Sequence, residues 1–72
     1  MNARERIGLQ IVRLRQERGL TQRDLANLTG VTQSNIWKIE TGKYSVSLDI
    51  LSRITESLGA KVELVKTENH QK

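Results

Sequence analysis

Apolar residues return at helical spacing in four short stretches, and then the period changes to alternation. Ile7, Ile11 and Leu14 fall at i, i+4 and i+7, one stripe of a helix. Asn2 with Glu5 three residues on forms a capping pattern, and Gly19 follows Arg18, so the spacing predicts a helix over 3–18. Thr21 opens a second helix with Asp24 in its first turn and Leu25, Ala26 and Leu28 on its apolar side, ending at Gly30. Thr32 caps a third, with Ile36 and Ile39 inward and Gly42 behind it; Ser47 caps a fourth, in which Leu48, Leu51, Ile54 and Leu58 repeat before Gly59. In the tail, Val62 and Leu64 alternate with Lys61, Glu63 and Lys66, which predicts one short strand over 61–66. Residues 67–72 are polar and expected to fray.

Four short helices pooling their stripes give an all-α core over residues 1–60. The lone strand is the anomaly, since a single strand leaves its backbone groups unpaired. Seventy-two residues allow one small domain, and the absence of cysteine removes disulfides and thiolate metal sites. No apolar run exceeds two residues, so no membrane partner is expected, and with no signal-peptide pattern at the start the expected location is the cytoplasm.

Charge adds a direction. Twelve Lys and Arg against eight Asp and Glu give +4, and residues 1–23 carry all of it through Arg4, Arg6, Arg13, Arg15, Arg18 and Arg23 against Glu5 and Glu17. A basic balance favours a polyanionic partner, although a solvated basic helix face would read the same way.

The segment from Leu20 to Lys43 carries the function. Two helices of about eight residues meet at a tight turn containing Gly30, which is the helix-turn-helix arrangement. On a wheel of 100° per residue, Thr32, Ile36, Ile39 and Glu40 cluster on one side of the third helix. Ser34, Trp37, Lys38 and Thr41 point the opposite way, with Gln33 leading at the N-terminal end. That face offers amide, hydroxyl, ammonium and indole groups, able to read base edges or hold phosphates. Thr32 and Asn35 stand beside it as further candidates for phosphate, and the amides behind Thr21 make another anion site.

At this point residues 7–58 resemble the Cro/C1-type (Xre) helix-turn-helix domain of phage repressors and small bacterial regulators. Leu20-Thr21-Gln22, Leu25-Ala26, Gly30-Val31, Ile36, the run Ile39-Glu40-Thr41-Gly42-Lys43 and Ser47-Leu48-Asp49 carry the likeness. It departs at Val46, where the family often has proline, and at Trp37, which is bulky for a recognition helix. The resemblance implies a lambda-repressor-like fold of four to five helices, here with one short C-terminal strand. It further implies that Gln22 and Lys43 hold phosphates while Gln33, Ser34 and Lys38 meet bases of double-stranded DNA. Trp37 flanks these three and either packs against a thymine methyl or sugar, or covers the side of the second helix. Glu40 is sent inward by the wheel, and the resemblance pairs it with Arg15 as a structural ion pair.

Other classes find less support. The only histidine is His70 in the tail, and there is no Ser/His/Asp or HExxH arrangement, no Gly-rich phosphate loop and no ligand cluster, so neither an enzyme nor a metal or cofactor is expected. Two aromatics are too few to stack a series of RNA bases. The main expectation is a repressor acting as a homodimer on a palindromic operator, with Val62 and Leu64 facing the helices and the strands of two copies paired; the other course for residues 61–66 is to pack on their own fourth helix or stay disordered. The alternative is an antitoxin that binds a toxin protein and regulates its own operon.

Overall fold

The computed structural model describes residues 1–68. Four helices follow one another: α1 (Ala3–Glu17), α2 (Gln22–Thr29), α3 (Gln33–Glu40) and α4 (Leu48–Ser57). Each begins at a side-chain cap. In α1, Asn2 Oδ1 accepts the Glu5 N–H and Glu5 Oε1 accepts the Asn2 N–H, both at 2.9 Å. In α2 the same reciprocal box joins Thr21 and Asp24, while Thr32 and Ser47 accept the Asn35 and Ile50 amides. These bonds satisfy donors that a helix start would otherwise leave open.

The core is one cluster drawn from all four helices and the turn: Ile11, Leu25, Ala26, Val31, Ile36, Ile39, Leu51, Ile54 and Leu58. Within it α3 packs on α1 and α2, and α2 packs on α4. The α1–α3 approach is close because Gly8 has no side chain. A Cβ there would lie 2.5 Å from the Glu40 carbonyl oxygen and 2.6 Å from that of Ile39. One arginine ties two helix ends together: Arg18 Nε donates to the Leu58 carbonyl at 3.0 Å, holding the end of α1 to the end of α4.

The strand expected over 61–66 is not formed in the single chain, where residues 61–67 carry no regular secondary structure. A strand is held by ladder bonds to a neighbour, and the four helices offer it no sheet edge. Leu64, expected to face the helices, is fully exposed, and Val65 beside it is exposed too. Val62 is half-exposed, at the rim of a groove between α1 and α4 lined by Ile7, Leu14, Leu51 and Thr55. Glu63 pairs at 3.3 Å with Lys61 of its own chain. The segment 67–72, expected to fray, lies outside the described residues from 69 on.

Candidate nucleic-acid interface

The α2–turn–α3 unit is rigid by construction. Leu25, Ala26, Val31 and Ile36 are buried in its angle, and small Ala26 lets the two helices meet. Gly30 turns the chain with φ of 76°, a left-handed conformation that side chains beyond Cα disfavour. Thr29 is buried and fastens the turn: its hydroxyl donates to the Leu25 carbonyl at 2.8 Å and accepts the Val31 N–H at 3.2 Å.

The angle leaves one polar face of α3 outward. Gln33, Ser34, Trp37 and Lys38 are all exposed there. Among the described residues their side chains make no hydrogen bond or ion pair, so their donors and acceptors are open to a ligand. Trp37 is 46% exposed, which leaves part of the indole open to a ligand.

The candidates for phosphate contact divide. Thr32 is exposed, and its oxygen accepts the Asn35 N–H at 3.1 Å, which leaves the hydroxyl proton free to donate. Thr21 Oγ1 also accepts, from the Asp24 N–H at 3.0 Å, but its hydroxyl is engaged with the Asp24 carboxyl. Thr41 differs: its hydroxyl donates back to the Trp37 carbonyl at 2.9 Å, so that proton is engaged within the helix. Asn35 is half-buried and turns toward α4, sharing a groove with Tyr44, Ile50 and Arg53 rather than the face of Gln33. Lys43 is exposed on the loop after α3, anchored by its own N–H to the Lys38 carbonyl at 2.9 Å.

Beneath this face lies a polar network. Arg15 grips Glu40 with both arms of its fork, Nε to Oε2 at 2.6 Å and Nη2 to Oε1 at 3.1 Å. The third donor, Arg15 Nη1, reaches the Leu20 carbonyl at 2.9 Å. Gln22 Nε2 donates to Glu40 Oε1 at 2.9 Å, so one of the two amide protons of Gln22 is held inward and the other remains for an outside acceptor. The first residue of α2, the last residue of α3 and the body of α1 are thereby linked. Both charges are largely buried, and every buried side-chain polar atom among the described residues has a partner.

At the start of α2 the electrostatics are less simple than the free amides suggest. The Asp24 carboxyl is held below the ordinary carboxylate range, first by the Thr21 backbone N–H and then by the Thr21 hydroxyl. Its negative charge occupies the helix end where an anion would otherwise sit.

Two residues on this side of the molecule are not among the sequence expectations. Arg23 and Asn27, four apart on α2, line an open groove of about 430 Å³ with Thr32 and Gln33. Their spacing on the flank next to Ala26, where α3 packs, was the available signal.

A profile described as a helix-turn-helix domain matches residues 6–67, nearly the whole chain. The chain belongs to this helix-turn-helix family. Among its relatives is an uncharacterised HTH-type transcriptional regulator of Methanothermobacter thermautotrophicus, 49% identical over 45 residues. That match covers 62% of this chain and 65% of the relative, so the likeness spans under two thirds of that protein. The clp gene regulator ClgR of Corynebacterium glutamicum superposes with a TM-score of 0.83 at 31% identity, over 86% of this chain and 80% of that one. A toxin-antitoxin module from Streptococcus pneumoniae superposes with a TM-score of 0.71 at 34% identity, over 89% of this chain and 71% of that one. The family match and these superpositions agree with the all-α helix-turn-helix fold. No described helix is long and apolar enough to cross a membrane.

Proposed function

We propose that this protein is a transcriptional regulator that binds specific sites in double-stranded DNA, acting in the cytoplasm and without enzymatic chemistry. The observation that carries this is the outward face of α3, where Gln33, Ser34, Trp37 and Lys38 are exposed and internally unbonded on a helix whose other side is locked into the core. A Gln amide matches adenine N6 and N7, and a Lys ammonium reaches guanine O6 and N7. In this reading α3 enters the major groove, Trp37 meets a thymine methyl or sugar, and Thr21, Gln22, Thr32, Asn35, Thr41 and Lys43 are the candidates for phosphate. A free hydroxyl proton favours Thr32 over Thr41, and the turn of Asn35 toward α4 ranks it last. The network of Arg15, Glu40 and Gln22 sets the tilt of α3 from behind.

One such domain reads only a few base pairs, and phosphate attraction alone gives a Kd of roughly 10⁻⁴–10⁻⁶ M. Two copies on half-sites about one helical turn apart supply the missing contacts, so the reading includes a two-fold dimer on a palindrome. The exposed tail 61–66 is the segment proposed to join the copies, with 1–60 as the DNA-binding body. Selection of bound duplexes from a random pool tests the whole reading, because it returns half-site sequence and spacing together. An enriched inverted repeat is the expected result; no enrichment over the starting pool would overturn it.

A second reading is favoured by the likeness to the pneumococcal toxin-antitoxin module and by the exposed Leu64 and Val65. In it the same domain also binds a toxin protein and regulates its own operon. A stoichiometric partner encoded by the adjacent gene and co-purifying with the protein would support it. Its absence leaves the dedicated regulator.

A further inference from the structure

The six arginines of the first 23 residues have different surroundings. Arg15 is paired with Glu40, Arg18 donates to the Leu58 carbonyl and Arg6 to the Met1 carbonyl. Arg4 lines a separate hollow with Tyr44 and Ser45. Arg13 is exposed two residues from buried Ile11, on the outer side of α1. Arg23 shares a concave surface with a residue of the outward α3 face, the groove it lines with Gln33 and Thr32. It is exposed, and among the described residues its guanidinium has no hydrogen bond or ion pair.

Helix-turn-helix docking sends the second helix of the motif into the major groove while the first crosses the backbone. A long side chain on α2 beside Gln33 therefore points where the phosphate chain passes the base pair that Gln33 reads. The five donors of a guanidinium form a rigid fork that matches two phosphate oxygens. We propose that Arg23 clamps the DNA phosphate next to the base pair read by Gln33, fixing the depth of α3 in the groove. This rests on the DNA-reading role proposed above.

The test measures affinity of the full chain for a selected duplex and an unrelated one, across a salt series, for Arg23→Ala, Arg23→Lys and Arg13→Ala. Both sites are exposed, so folding should not intervene, and circular dichroism melts check it. Arg23→Ala should weaken both duplexes by the same factor, roughly tenfold, and lower the salt slope by about one. Arg23→Lys should keep the slope, since the charge remains, while losing part of the affinity with the fork. Arg13→Ala removes the same charge from the outer face and should change little. If Arg23→Ala behaves like Arg13→Ala while Gln33→Ala and Lys43→Ala weaken binding, the clamp is overturned and the DNA-reading role stands. If Arg23→Ala relaxes discrimination at one base pair with the slope unchanged, Arg23 reads a base and the clamp is again overturned. If Gln33→Ala and Lys43→Ala also do nothing, the DNA-reading role fails and the clamp with it.

Discussion

Gly8 of α1 lies directly beneath the Glu40 carbonyl at the end of α3, where a methyl group would sit 2.5 Å from that oxygen. The contact is with backbone, which has no rotamer through which to move aside. Gly8→Ala should gain about 1 kcal/mol of helix propensity and lose more than that to overpacking, which typically costs about 1–3 kcal/mol. The expected result in urea denaturation is a less stable protein. A variant as stable as the parent, or more so, would mean that α1 and α3 can separate freely.

Glu40 and Arg15 share a mostly buried bidentate pair. Removing one partner of such a pair leaves the other charge desolvated, typically at about 3–5 kcal/mol. Glu40→Ala should therefore destabilise by kilocalories, and Gln22→Ala by less, about 1.5–3 kcal/mol, because it removes one hydrogen bond to a carboxylate that Arg15 still holds. A shift under about 0.5 kcal/mol for Glu40→Ala would show the pair to be energetically idle.

Helix order, caps and most core residues could be read from period and punctuation, because each cap is local and each stripe is a property of one helix. The inward turn of Glu40 was also legible, being an angle on a wheel. What the sequence did not announce depends on approach between helices. Gly8 looks like a weak helix residue until α3 is seen to press on it, and Gln22 looks free until Glu40 is seen to hold its amide. Asn35 reads as one more candidate for phosphate, and a wheel does not say that it shares a groove with Ile50 and Arg53 of α4. The tail misled for a different reason: alternation reports strand-forming residues, and a strand also needs a neighbour that one chain lacks.

Asp24 gives the fold a pH signature. Its folded-state pKa is lowered, so its stabilising contribution is present above the unfolded value of about 3.9 and is lost as pH falls through the lower folded value. Asp24→Asn abolishes that titration. Melts should show the parent ahead of the variant at about pH 5, with the gap closing toward about pH 2. A gap that stays constant over this range would mean the Thr21 bonds do not bias the carboxyl.

Gln33→Ala and Lys43→Ala should separate base reading from phosphate holding. The first removes a bidentate amide from the leading end of α3 and should cost about 1–3 kcal/mol on the selected site, with relaxed preference at one or two base pairs. The second removes a loop cation and should weaken every sequence alike, lowering the salt slope by about one. Interchanged phenotypes would reverse the orientation of α3 in the groove.

The tail sets the last expectation. Leu64 and Val65 are exposed apolar residues on a segment that forms no strand among the described residues, next to Val62 at the rim of the α1–α4 groove. Antiparallel pairing with the same segment of a second copy would satisfy its backbone groups and cover these side chains. Two-fold pairing is self-complementary, so one short segment can bring two reading heads to a palindrome. Pairing would also have to accommodate the existing bond between Lys61 and Glu63, which is exposed and so weakly held. Deleting residues 61–72 should convert a dimer to a monomer in sedimentation and reduce operator binding toward the non-specific level, while the helical melt survives because every core residue lies before 61. A truncated protein that stays dimeric and still binds its inverted repeat would place the dimer contact on the helices instead.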